Sequence, residues 1–213
     1  MATSSQQGDD AGIVHVVDDD EAVRESLMLL FKSISLEARA YPNALSFLDD
    51  LQPGRPGCLV CDVRMPGMSG LQLQERLTEL GSDIPIVFIS GHGDVPMAVS
   101  AMREGAVDFL QKPFNEDLLL QRVQEALDTH RHRCAGNRRR DEIRERHESL
   151  TEREREIMGY LIEGTANKVI AIELGISPRT VELHRSRVLA KMEARTLTDL
   201  LRLAEEGDLT QAS

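Results

Sequence analysis

Cys58-Leu59-Val60-Cys61-Asp62-Val63-Arg64-Met65-Pro66-Gly67-Met68-Ser69-Gly70 is the stretch on which the fold of this chain turns. Its apolar start ends in a single carboxylate, Asp62, after which Pro66, Gly67 and Gly70 turn the chain. A continuous apolar run closed by turn residues reads as a strand buried on both faces of a parallel sheet. The last residue of such a strand stands at the carboxyl edge of the sheet, where open α/β folds bind their ligands. A lone Asp at that place more often simply starts a loop. Its meaning depends on what else reaches the same edge.

Four further runs share the pattern. Ile13 to Val17 ends in Asp18-Asp19-Asp20-Glu21, a short strand is expected at Ala38–Tyr41, Pro85 to Ile89 closes on Ser90, and Val107 to Leu110 closes on Lys112-Pro113. Between them, apolar residues recur at helical spacing, as in Val23, Leu27, Leu30 and Phe31. Strands alternating with helices predict a doubly wound α/β sheet, and the flavodoxin-like order 2-1-3-4-5 is the one expected. That order stands Asp18 and Asp19 beside Asp62, with Ser90 and Lys112 opening onto the same edge.

Composition narrows the function. Residues 1–127 hold 9 Lys/Arg against 20 Asp/Glu, whereas 128–213 hold 16 of each. An acidic part and an Arg-rich part suggest two domains with different partners. No apolar run approaches the roughly 18 residues of a membrane span. The polar start is neither a signal nor a transit peptide, so a cytoplasmic protein with no membrane partner is expected. Three cysteines argue against a disulfide framework. Cys58 and Cys61 have CxxC spacing, but residues i and i+3 of a strand face opposite sides, so packing is the expected role.

Asp128 to Glu148 is rich in Arg and Glu and reads as a solvated linker, helical or not; its apolar stripe is too thin to argue a coiled-coil seam. A second domain opens at Leu150-Thr-Glu-Arg-Glu154, where Thr151 and Glu154 fit a capping box. After Asn167 to Leu174 come a turn, Gly175-Ile176-Ser177, and a basic helix from Pro178 to Met192; Thr196 to Ala204 close the bundle. Helix, short Gly-containing turn and basic helix are the helix-turn-helix pattern. The expected divisions are a flexible tail at 1–11, an α/β domain at 12–127, the linker at 128–148, an all-α helix-turn-helix domain at 149–208 and a tail at 209–213.

Three carboxylates on one edge repel unless a positive charge is shared among them. Oxygen-only donors suit a hard cation such as Mg²⁺. A metal beside one carboxylate, with a lysine opposite, is equipment for phosphoryl transfer. In the basic helix, Arg179, Arg185, Arg187 and Lys191 outweigh Glu182. With Lys168 on the preceding helix and Thr180, the candidates for phosphate contact are Arg179, Arg185 and Lys191. A solvated helix face is the lesser alternative for any single arginine.

Val16-Val-Asp-Asp-Asp-Glu-Ala-Val-Arg24, Asp62 to Gly70, Ser90-Gly-His-Gly-Asp-Val-Pro-Met97, Gly105 to Phe109 and Lys112-Pro-Phe114 resemble the receiver domain of two-component response regulators. Leu150 to Glu154, Ala171 to Val181 and Ala190-Lys-Met192 resemble the LuxR-type DNA-binding domain, and the combination is similar to the FixJ branch of the FixJ/NarL family. The resemblance implies Asp62 as phosphoacceptor. Asp18, Asp19, Asp62 and the backbone carbonyl of Arg64 would be the Mg²⁺ ligands, and Ser90 the hydroxyl that bonds the phosphoryl group. Phe109 would be the aromatic switch, and Lys112 the conserved-role lysine, with a cis bond before Pro113. It places Glu182, Leu183 and Ser186 where family members present side chains to base edges; for Glu182 an intrahelical pair with Arg185 or Ser186 stays open. It also implies a sensor histidine kinase, promoter DNA and RNA polymerase as partners, and a homodimer on phosphorylation. Self-phosphorylation from a phosphohistidine and slow self-dephosphorylation would be the only chemistry. A phosphatase working through a phosphoenzyme needs a cap that these short loops lack. A regulator switched by partner binding without phosphate is the remaining alternative.

Overall fold

The computed structural model describes residues 12–91 and 95–209. The chain divides into two compact units, Met1–Ala135 and Gly136–Ser213. Most of both expected tails, and His92, Gly93 and Asp94 of the Ser90 to Met97 motif, lie outside the described residues.

The first unit holds five parallel strands, β1 (Ile13–Val17), β2 (Ala38–Tyr41), β3 (Gly57–Asp62), β4 (Ile86–Ser90) and β5 (Asp108–Gln111), in the order β2-β1-β3-β4-β5. Helices α1 (Glu21–Ser33), α2 (Ala44–Asp50), α3 (Gly70–Glu79), α4 (Val95–Arg103) and α5 (Glu116–Glu148) connect and cover them. Every residue of β1, β3 and β4 is buried, as strands covered on both faces require. One core gathers Phe47, Leu59, Cys61, Leu73 and Phe88; the other gathers Phe31, Cys58, Val60, Ile89 and Val123. Cys58 and Cys61 thus face opposite sides of the sheet. Burial pushes the Cys58 thiol up to about 12 and that of Cys61 well above its ordinary range.

Helix starts follow their caps. Asp20 accepts from Ala22 N at α1, and Ser69 with Gln72 forms a capping box at α3. α5 is a single helix of 33 residues that takes in the whole charged segment 128–148. Pairs such as Arg131–Asp128 and Arg139–Glu142 support that segment at i,i+3 spacing, each worth a few tenths of a kcal/mol.

The second unit packs α6 (Glu152–Ile162), α7 (Asn167–Glu173), α8 (Pro178–Lys191) and α9 (Leu197–Glu206) around Ile157, Leu161, Ile170, Val181, Val188 and Leu200. Ile143 of α5 joins that core. Thr151 and Glu154 form the anticipated capping box, and Ser177 caps α8 with Pro178 in its first turn. Among the described residues no helix is long and apolar enough to cross a membrane.

Gly70 is where the opening stretch is most constrained. A Cβ there would fall inside contact distance of the Asp62 carbonyl and meet Phe88 at 3.0 Å and Cys61 at 3.1 Å. Backbone and ring have to shift to admit it. Gly70→Ala is expected to lower unfolding free energy by about 1–3 kcal/mol. A urea midpoint unchanged from wild type would count against so close an approach.

Candidate functional site

The carboxyl edge of the sheet brings together Asp18, Asp62, Ser90 and Lys112. The β1–β3 register pairs Val17 with Cys61, so Asp18 and Asp62 lie next to one another. Both are buried, at 1% and 6% exposure. The Lys112 ammonium donates to Asp18 Oδ2 at 2.7 Å and to Asp62 Oδ1 at 2.8 Å, bridging the two acids. The free oxygen of each is also bonded: Asp18 Oδ1 accepts from Asp20 N and Asp62 Oδ2 from Arg64 N. Burial raises the Asp18 carboxyl above the ordinary range despite the pull of Lys112. Burial works against the ammonium too, but its bonds to Asp18 and Asp62 prevail and hold it above its usual value.

Asp19 is exposed at the rim of this edge. The three acids do not close into a compact ligand cluster among the described residues; Lys112 stands between two of them. The donors are nonetheless all oxygens, with Asp19 open to solvent, and that set fits a hard cation and no soft one. Ser90 is buried, and its carbonyl accepts from Lys112 N at 2.8 Å, which fixes the end of β5 against the end of β4. The Lys112–Pro113 bond is cis. Phe109 is half-buried, its ring centroid 6.3 Å from that of Phe88.

Arg24 has no role in the sequence reading, yet its guanidinium donates to the Asp18 carbonyl at 2.7 Å and ties α1 to the end of β1. Its signal is position: it faces the acidic pair from the first turns of α1.

In the second unit, Lys168, Arg179, Glu182, Leu183 and Ser186 are exposed on α7 and α8, and Thr180 and Arg185 partly so. No ion pair engages Lys168, Arg179 or Arg185 among the described residues; Arg185 makes a long contact, 3.5 Å, to Asn167. Ser186 Oγ donates to the backbone carbonyl of Glu182, which leaves the Glu182 carboxylate without a side-chain partner among the described residues. Lys191 stands apart from the other cations. Its ammonium donates to the buried Glu154 carboxylate at 2.7 Å and to the Ser149 carbonyl at 3.0 Å. Linear spacing gave no sign of this pair, whose members are 37 positions apart.

The family profile described as response regulator receiver domain matches residues 14–124, and that of bacterial regulatory proteins, luxR family, matches residues 148–204. The response regulator protein TodT of Pseudomonas putida is 45% identical over 92% of this chain and 87% of its own length. The transcriptional regulatory protein FixJ of Azorhizobium caulinodans is 46% identical over 90% of each chain. Among solved structures, the response regulator StyR superposes with a TM-score of 0.86 at 44% identity, covering 92% of this chain and 98% of that one.

The Glu154–Lys191 pair has a pH signature. The bond from Lys191, then that from Thr151 N, hold the Glu154 carboxyl down from 4.5 to about 2. A depressed folded-state value contributes stability that is present above the unfolded value and lost as pH falls through the folded one. Wild type should therefore exceed Glu154→Gln in stability at neutral pH, and the gap should close as pH drops from about 4.5 towards 2. Chemical denaturation of both proteins across that range reads it; a gap independent of pH contradicts the pairing.

Proposed function

Because the chain belongs to the response regulators of two-component systems, with a receiver domain and a LuxR-type DNA-binding domain, we propose that phosphorylation of Asp62 by a sensor histidine kinase switches its dimerisation and its sequence-specific control of transcription. The observation that carries this reading is the buried Asp62 carboxylate at the sheet edge, held by an ammonium that also reaches Asp18. An oxygen of Asp62 attacks the phosphorus of the donor's phosphohistidine. The P–N bond breaks, its electron pair stays on the ring nitrogen, and the histidine leaves as neutral imidazole, whose other nitrogen already carries the proton.

Asp18, Asp19, Asp62 and the Arg64 carbonyl are the groups to hold Mg²⁺. When bound, that ion supplies positive charge to the phosphoryl oxygens. Lys112 transfers one of its hydrogen bonds to a phosphoryl oxygen, and the Ser90 hydroxyl donates to another. Phe109 turns into the space that Ser90 vacates. The face built on α4, β5 and α5 is thereby biased towards pairing with a second copy. Apart from slow hydrolysis of its own phosphoaspartate, the protein turns nothing over.

In the second unit, α8 enters the major groove of promoter DNA while α7 crosses the backbone. Lys168, Arg179, Thr180 and Arg185 contact phosphates; Lys191 joins them only by giving up Glu154. Glu182, Leu183 and Ser186 face base edges, where Glu accepts from cytosine and Leu packs on a thymine methyl. RNA polymerase in the cytoplasm is the downstream partner.

Two experiments test this. Acetyl phosphate with Mg²⁺ should label wild type and leave Asp62→Asn unlabelled; a phosphoaspartate formed in the variant rules the assignment out. On DNA, Arg179→Ala should weaken binding uniformly and reduce the salt slope by about one. Glu182→Ala should instead relax preference at one base pair, at roughly 1–3 kcal/mol. Binding of a randomised site library separates the two effects, and interchanged outcomes would reverse the roles.

A further inference from the structure

In the second unit, the turn before α8 and the last residue of α8 are held by two neighbouring residues. Arg153 and Glu154 sit in the first turn of α6. The Arg153 guanidinium donates to the Leu174 carbonyl at 2.6 Å, and Leu174 closes α7 where the turn into α8 begins. The Glu154 carboxylate takes the Lys191 ammonium at 2.7 Å, and Lys191 is the last residue of α8. One turn of α6 thus fixes where the connecting turn starts and where the second helix of the pair ends. Glu193, just past α8, adds an ion pair with Arg146 at 2.9 Å.

Lys191 is committed to this contact. Two acceptors share its ammonium, Glu154 Oε2 and the Ser149 carbonyl, the latter at 3.0 Å. Glu154 is 3% exposed. Drawing Lys191 off to a DNA phosphate would leave that buried carboxylate with only the bonds of its own cap. Stranding a buried charge costs more than one phosphate contact returns in water. Direction agrees. At about 100° per residue, Lys191 lies about 130° round α8 from the middle of the face formed by Glu182, Leu183 and Ser186.

We propose that the first turn of α6 is a positioning element for base reading: Arg153 and Glu154 set the pose of α8 from its two ends, and Lys191 serves that clamp in place of a DNA phosphate. The inference rests on the reading of α8 as the helix that enters the major groove, and adds which residues aim it. Hydrogen bonds to base edges weaken steeply when donor and acceptor are misaligned, so sequence is read at one depth and tilt of the helix. Contacts to the phosphates of any sequence tolerate a looser pose. A loosened clamp therefore costs preference for one sequence and spares general affinity for duplex DNA.

A preferred site is selected from a randomised duplex library by full-length wild type treated with acetyl phosphate and Mg²⁺. Each variant is then titrated against that site and against an unrelated duplex over a range of KCl. Glu154→Gln keeps a capping side chain at its helix position but removes the charge. It should lower preference for the selected site roughly tenfold, with affinity for the unrelated duplex and its salt slope as in wild type. Lys191→Met should match it, and the double variant should lose no more than either alone. Arg153→Gln leaves the buried carboxylate paired and should lose preference from the other end. A role confined to stability would lower both affinities together, and that result overturns the proposal. So does an unchanged preference, or tighter binding by Glu154→Gln with a slope steeper by about one, the mark of Lys191 released to a phosphate. No preferred site for wild type overturns the reading of α8 itself, and this proposal with it.

Discussion

The Lys112 ammonium between Asp18 and Asp62 is the interaction on which the first unit depends. Two buried carboxylates on neighbouring strands repel, and each loses hydration on folding. One cation 2.7 and 2.8 Å from them makes the arrangement tolerable. It also fixes geometry, because the ammonium comes from the end of β5 and its two partners from the ends of β1 and β3. The bond from Lys112 N to the Ser90 carbonyl adds the end of β4. An edge held by one movable cation suits a switch: whatever draws the ammonium away from one carboxylate changes the forces at every strand end it touches.

The second unit repeats the device with another emphasis. Glu154 caps α6 and is buried, and Lys191 at the end of α8 satisfies it. The pair ties the start of one helix to the end of the helix that carries the basic face. A cation that the chain shows as one more positive charge on α8 is thus largely an internal strut. Arg179 and Lys168, with no such partner among the described residues, are left as free charge.

Much of this was legible in the sequence because the relevant signals are local. Apolar runs ending in Asp18, Asp62, Ser90 and Lys112 mark strand ends, and parallel topology alone carries all four to one edge. Caps at Thr151 and Ser177 are likewise readable, since a cap and its partner lie three residues apart. The continuation of α5 through 128–148 is not legible, because that segment shows too little apolar periodicity; its helix rests on i,i+3 pairs and on scattered buried points such as Cys134 and Ile143. The Lys191–Glu154 and Tyr41–Asp50 bonds were invisible for a different reason. They depend on where packing sets side chains from separate elements, which spacing does not encode.

β1 shows how one strand carries opposite electrostatic outcomes three residues apart. Asp18 and His15 are both buried and both pay for lost hydration. Asp18 meets an ammonium able to serve it and Asp62 together, and its site becomes one of shared charge. His15 is held neutral by burial first and then by the positive charge of Arg39, which prevails over the opposing pull of Asp50. The Tyr41 hydroxyl donates to Asp50, which leaves its oxygen to accept from His15 Nδ1. Burial alone does not decide what a polar group becomes; the charge its neighbours set against it does too, and the two edges of this sheet differ on that point.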